Sequence, residues 1–194
     1  GPAKKVTGSI VNGKKTRTIG IGPKKNQKFK VKCPTSYLST ITFHNGSVIH
    51  LTLSFDVIAH QNNHIELYGD KGSMIVPDPN MFGGSVFVCK NFGKPWKEYK
   101  TNKLPLGKIN IKSQSSRANE SPTNANYRGA GLSEMGYCIE NKKDHKCNGE
   151  LSLHVLDIIQ SIMQACKFGK TKFIKTKCKK PKIFKISDIN KILI

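Results

Sequence analysis

The most constraining feature of this sequence is a pair of β-rich runs, YLSTITFH and SVIHLTLSFD, on either side of Asn45-Gly46. Branched and aromatic residues at this density favour strand, and an Asn-Gly pair suits the two left-handed residues of a type I′ turn. The segment 37–56 therefore reads as a hairpin. A two-residue turn would pair His44 with Ser47 and set Ile41 opposite His50. One face would then carry Tyr37, Ile41, Phe43, Val48, His50, Thr52 and Ser54. The other would carry Leu38, Ile49, Leu51, Leu53 and Phe55. With apolar residues on both faces, the sheet is expected to be covered twice, by helices on one side and by a second sheet or subunit on the other.

Further strands follow from alternation and turn chemistry. Residues 3–11 read as an opening strand, 13–28 as a loop or ragged hairpin, and 29–33 as a short alternating strand. Strands at 64–69 and 73–76 flank the turn Asp70-Lys71-Gly72, and Pro77 stops the second. Residues 85–90 and 96–100 form another expected hairpin, around Gly93-Lys94-Pro95. The stretch 101–127 is long, polar and aperiodic. Two helices are expected next. Residues 132–142 align Leu132, Met135 and Ile139. Residues 149–167 align Leu151, Val155, Ile158, Ile159, Ile162 and Cys166 at 3.6 spacing, with Asn148 as N-cap and Gly169 ending the helix. A short strand and a helical turn over 187–193 close the sequence. The class is α+β: an open, largely antiparallel sheet with helices packed on one face and the other face available for oligomerisation.

The 194 residues, 37% of them hydrophobic, suffice for one domain with a real core. No run approaches the roughly 18 apolar residues of a membrane helix, and no apolar stretch follows the first lysines as in a signal peptide. A soluble, cytoplasmic protein without a membrane partner is expected. The cysteines at 33, 89, 138, 147, 166 and 178 have no paired metal-ligand spacing, so no metal site is expected. Cys138 and Cys166 sit in helical apolar patterns and read as small core residues. His154 reads as a packed, hydrogen-bonded helix residue.

The formal charge is +21, from 30 Lys and 3 Arg against 12 acids. Lys, Asn and Ile all have A/T-rich codons, which is a sufficient account of the lysines. Arg, the residue that forks onto phosphate and guanine, is scarce. Nucleic acid is not expected as a partner. That reading would require affinity falling steeply with salt and the lysines of 167–185 gathered on one face. Two nucleotide-loop lookalikes fail. In Gly129-Ala130-Gly131 the third glycine is replaced by Glu134, and no strand precedes it. Gly169-Lys170-Thr171 follows a helix, where a phosphate loop precedes one.

Two stretches, LSFDVIAHQNNHIELYGDKGSMIVPDPNMFGG at 53–84 and RGAGLSEM with GELSLHVLDII within 128–159, resemble the C-terminal domain of the Gfo/Idh/MocA oxidoreductases, the glucose–fructose oxidoreductase and inositol dehydrogenase family. The resemblance implies that residues 1–194 are a single C-terminal substrate and oligomerisation domain, with the N-terminal Rossmann domain absent. Intact members pair NAD or NADP with a sugar-like substrate. Their chemistry moves a hydride to nicotinamide as a base takes the alcohol proton. The catalytic Lys of their Glu-Lys-Pro motif and their Asp, often with a His, have no counterpart here; Lys94-Pro95 lacks the Glu. No catalytic residue is therefore assigned, and no tight nicotinamide binding by this chain alone is expected. By resemblance the substrate wall would comprise Asp56, His60 and Gln61 at a strand end, with Tyr127 and Arg128 after the long loop. Asp56 and Arg128 could equally brace local backbone. The chain departs from the family pattern at Ile58, where Trp is frequent, and at Glu134, where Asp is frequent. The implied partners are a sugar-like small molecule and further copies of the chain. The alternative is a non-enzymatic oligomerising remnant.

Overall fold

The central hairpin forms, with its register one residue away from the two-residue-turn expectation. In the computed structural model, which describes residues 1–78, 82–110 and 125–192, the loop is three residues long. Phe43 N–H donates to Ser47 O at 2.9 Å, Gly46 N–H donates to Phe43 O at 3.1 Å, and Gly46 alone takes the left-handed conformation, at φ 88°. This is a type I turn closed by a glycine bulge. Asn45 stabilises it through its side chain, whose Oδ1 accepts Ser47 N–H and Oγ–H. Ile41 consequently pairs with Ile49, and Thr40 with His50.

A one-residue shift exchanges the faces of one strand relative to its partner. Tyr37, Ile41, Phe43, Ile49, Leu51 and Leu53 now share one face. Leu38, Thr40, Thr42, Val48, His50 and Thr52 share the other. The expected distribution is corrected: most apolar side chains of the pair share one face and the threonines the other, although Ile49 and Leu53 on the first face, like Leu38 and Val48 on the second, are about half exposed.

The chain divides into two compact units, residues 1–60 with 147–182, and 61–146 with 183–194. In the first, β1 (Ala3–Val11), β4 (Ser36–Phe43), β5 (Val48–Ser54) and β10 (Lys172–Phe173) form an antiparallel sheet in the order β10-β1-β4-β5. Two short strands, β2 (Thr16–Thr18) and β3 (Lys28–Lys30), make the expected ragged hairpin. Helix α2 (Gly149–Phe168) packs on the β1 and β4 part of the apolar face, burying Ala3, Val6, Ile41, Ile162, Ala165 and Cys166 together. Its Asn148 cap accepts Leu151 N–H, and Gly169 ends it at φ 61°. Gly8 allows the close approach of this helix, because a Cβ there would overlap Leu38 O and the Cys166 sulfur.

The buried line of α2 differs from the expected stripe. Ile158, Ile162 and Cys166 pack inward, but Val155 and Ile159 are about half exposed while His154 is buried. The rotation follows from His154, which satisfies both ring nitrogens inside and so takes an inward position.

The second unit is a four-stranded meander of β6 (Ile65–Gly69), β7 (Gly72–Val76), β8 (Ser85–Cys89) and β9 (Lys97–Lys100), with α1 (Ala130–Glu140) packed against α3 (Ile186–Ile192). The expected stripe of α1 is also corrected. Leu132 and Ile139 are exposed, and Glu134 and Cys138 are buried instead. The Glu134 carboxylate accepts the Lys146 N–H with both oxygens, at 3.1 and 3.2 Å, which makes its burial affordable and anchors the loop after α1. Of the polar stretch 101–127, residues 111–124 lie outside the described residues. Among the described residues no helix is long and apolar enough to cross a membrane.

Candidate functional site

Asp56 lies two residues beyond the end of β5, and its side chain turns toward the start of β4. Its Oδ2 accepts Thr35 Oγ1–H at 2.5 Å and Ser36 Oγ–H at 2.7 Å. Its Oδ1 accepts Arg17 Nη2–H at 2.8 Å, and its own N–H donates to Ser54 Oγ at 3.1 Å. Arg17 also donates to Phe55 O at 2.5 Å. These donors, the Thr35 and Ser36 hydroxyls foremost, lower the Asp56 pKa to about 2. Gly13 completes the enclosure, since any Cβ there would overlap the carboxylate.

This network ties the β2–β3 hairpin to the ends of β4 and β5. Beside it lies an open concavity of about 390 Å³, lined by Lys14, Arg17 and Asp56 with the exposed side chains of Phe55 and Ile58. Lys14 and Arg17 supply cationic donors, and the two apolar side chains a hydrophobic rim. Such a surface can hold a small polar molecule by hydrogen bonds and contact; it holds no nucleophile–base pair. Arg17 and Thr35 escaped the sequence reading. They lie 39 and 21 residues from Asp56, and no local spacing signals such a pairing.

The other predicted site residues are placed as follows. His60 and Gln61 lie in the exposed irregular segment after β5, His60 at the end of the first unit's initial stretch and Gln61 at the start of the second unit. Tyr127 and Arg128 belong to the second unit and lead into α1. The Tyr127 hydroxyl donates to Lys108 O at 2.8 Å, and its ring meets Phe82 edge-on at 5.8 Å between centroids. Asn126 and Asn110 exchange two hydrogen bonds at 2.7 and 2.8 Å, and Arg128 N–H donates to Asn126 Oδ1. Tyr127 is thereby fixed in orientation and half-buried, while Arg128 is exposed at the N-terminal end of the helix.

Comparison with solved structures places this architecture. A levoglucosan dehydrogenase in complex with NADH matches 91% of this chain with a TM-score of 0.63 at 14% identity. An NAD binding oxidoreductase from Klebsiella pneumoniae matches 91% with a TM-score of 0.62 at 13% identity. An aldose-aldose oxidoreductase from Caulobacter crescentus, complexed with glycerol, matches 89% with a TM-score of 0.54 at 14% identity. The fold is that of Gfo/Idh/MocA-type oxidoreductases. The chain spans 46%, 47% and 41% of the lengths of those three chains, a little under half of each. No family model and no curated protein matches the sequence.

Within this Gfo/Idh/MocA-type fold the glycine motifs serve as turn and cap. Gly129 precedes α1 in a right-handed helical conformation, and Gly131 lies in its first turn. A Cβ on either would meet no other protein atom, and residues 125–128, which lead into Gly129, form no strand such as runs into a pyrophosphate loop. Gly169 is the C-cap of α2. These motifs do not fit a dinucleotide. The described residues hold no group of three or more His, Cys, Asp or Glu arranged for a metal.

Proposed function

We propose that this chain is the substrate-binding and assembly portion of an NAD(P)-dependent sugar or cyclitol oxidoreductase. The observation that carries the reading is the fold: 91% of the chain follows a levoglucosan dehydrogenase in complex with NADH. In this reading residues 1–194 act as one functional domain. They supply a wall for a polyhydroxylated substrate, and nicotinamide and the alcohol base come from a Rossmann portion. His60 and Gln61, exposed after β5, offer hydrogen bonds to hydroxyl groups. The fork of Arg128 holds a hydroxyl or carboxylate, and Tyr127 fixes the backbone that presents it. Asp56 acts indirectly, by holding Arg17 and the strand end in place. The threonine-rich outer face of the β10-β1-β4-β5 sheet packs against a second copy.

Three measurements on the purified 194-residue chain test this. Calorimetric titration with NADH is expected to show no saturation in the micromolar range; a micromolar Kd would overturn the division of labour. Saturation-transfer NMR against a panel of aldoses, anhydrosugars and inositols is expected to give contacts that Arg128→Ala and His60→Ala weaken. Silence across the whole panel would remove the substrate wall. Sedimentation is expected to show a dimer or larger, broken by Thr40→Arg with Thr52→Arg, and a monomer throughout would remove the assembly role.

A further inference from the structure

Charge is divided unevenly between two units of nearly equal length. The first holds 18 Lys and Arg, and its only acids are Asp56, Glu150 and Asp157; the second holds 15 cations and nine acids. Two of the first unit's three carboxylates are already committed internally. Asp56 is bound by Arg17, Thr35 and Ser36, and Asp157 accepts the N–H groups of Lys175 and Thr176. A/T-rich coding adds lysine throughout a chain. It does not thin out acids in one unit alone.

The densest lysines follow α2, and those beyond β10 alternate in exposure with their neighbours. After α2 the chain pairs with β1 as the edge strand β10, and Ile174 N–H continues that pairing to Lys4 O at 3.0 Å. Alternation then turns Phe173, Lys175, Lys177 and Lys179 outward and leaves Ile174, Thr176 and Cys178 half-buried. Successive outward residues of an extended chain lie about 6.6 Å apart. Two phenyl rings stand exposed along this segment, Phe168 at 57% and Phe173 at 65%. Lys167 and Lys172 approach the Phe168 ring at 5.4 and 5.8 Å from its centroid. Lysine on an edge strand also blocks unwanted strand addition, but that role does not extend to Lys177 and Lys179, which lie beyond the strand.

We propose that this lysine–phenylalanine strip, running from Lys167 to Lys179, binds single-stranded nucleic acid without reading its sequence. The proposal is independent of the oxidoreductase reading. Ammonium groups attract backbone phosphates and release counterions, and exposed rings accept unpaired bases by stacking. The scarcity of Arg removes the bidentate guanine contact and with it base selectivity. A bilayer would be met better by a broad apolar plane than by a line one residue wide.

The test is fluorescence anisotropy of a labelled 20-residue oligothymidylate titrated with the full chain. Binding is expected to weaken at least about tenfold between 50 and 200 mM salt. A quadruple variant, Lys170→Gln, Lys175→Gln, Lys177→Gln and Lys179→Gln, is expected to lose about tenfold or more. A charge-matched control in the second unit, Lys71→Gln, Lys90→Gln, Lys94→Gln and Lys103→Gln, is expected to lose less than about threefold. Phe173→Ser is expected to weaken the oligonucleotide about fivefold while leaving an inorganic polyphosphate chain unaffected. Equal loss in both quadruple variants would reduce the strip to diffuse charge. An unchanged Phe173→Ser affinity would make the ligand a polyanion of any kind. Capture by phosphatidylserine vesicles without oligonucleotide binding would assign the strip to lipid. Each of these outcomes overturns the proposal. Circular dichroism melts matched to the parent confirm that the lysine variants fold.

Discussion

The Nε2 of His154, in the second turn of α2, accepts the backbone N–H of Ala3 at 3.0 Å and so joins residues 151 positions apart. That acceptor role places the ring proton on Nδ1, which lies 3.0 Å from Thr176 Oγ1. Thr176 passes its own hydroxyl proton bond to Asp157 Oδ2 at 3.0 Å. One imidazole thus fastens the first strand and the segment after β10 to the same helix.

Replacing it leaves a buried N–H without a partner and a void beneath β1. His154→Ala is expected to cost about 2–4 kcal/mol of unfolding free energy in urea. A change below about 0.5 kcal/mol would show that water or a neighbour replaces the ring. Hydrogen exchange at Ala3 and Thr176 should rise together in the same variant.

Asp56 should contribute to the acid limb of stability. Its native pKa of about 2 lies below the ordinary 3.8, so the unfolded chain takes up this proton first as pH falls. Its contribution is complete above pH 3.8 and is lost as pH drops toward 2. Asp56→Asn is expected to be less stable than the parent at pH 6 and to converge with it near pH 2. A parallel offset at every pH would refute the linkage.

Much of this architecture was legible because it rests on local signals. Asn148 and Gly169 bounded α2, Gly72 and Gly93 marked the turns of the second sheet, and alternation located β1. The register of the central hairpin was not legible. Asn45-Gly46 fits a two-residue turn and a bulged three-residue turn alike, and the choice was made by the Asn45 side chain bonding to Ser47. The inward faces of both helices also shifted, for one reason. Glu134 and His154 each find their partners inside, at Lys146 and at Ala3; the packed, hydrogen-bonded place of His154 was legible, the burial of Glu134 was not. At the candidate site Asp56 was named by resemblance together with His60, Gln61, Tyr127 and Arg128, but Arg17 and Thr35 became visible only when folding brought them to Asp56.

Thiol chemistry should separate the cysteines by burial. Burial, and after it the nearby Glu134 carboxylate, pushes the Cys138 thiol above its ordinary value; burial alone does so for Cys166. Cys33 and Cys147 are exposed. Mass spectrometry after brief treatment with a thiol reagent at pH 8 is expected to find Cys33 and Cys147 modified first, with Cys138 and Cys166 protected until denaturant is added. Early labelling of Cys138 would show that the α1 contact with Lys146 opens readily.

Gly8 should tolerate no side chain. A Cβ there would overlap Leu38 O and the Cys166 sulfur, so Gly8→Ala is expected to cost about 1–3 kcal/mol by overpacking. Adding Cys166→Ala should recover only part of the loss, because the Leu38 carbonyl remains. Full recovery in thermal melts would show that the sulfur was the sole obstacle.

The first unit is assembled from two separate stretches, 1–60 and 147–182, and this has a consequence during synthesis. The apolar face of β1 and β4 is made early, but the helix that shields it follows some hundred residues later. At about 5–20 residues per second a ribosome takes roughly 5–20 s to deliver it. Through that interval the nascent sheet has a greasy side and no lid, so the period of greatest exposure to misassociation ends only when α2 clears the exit tunnel.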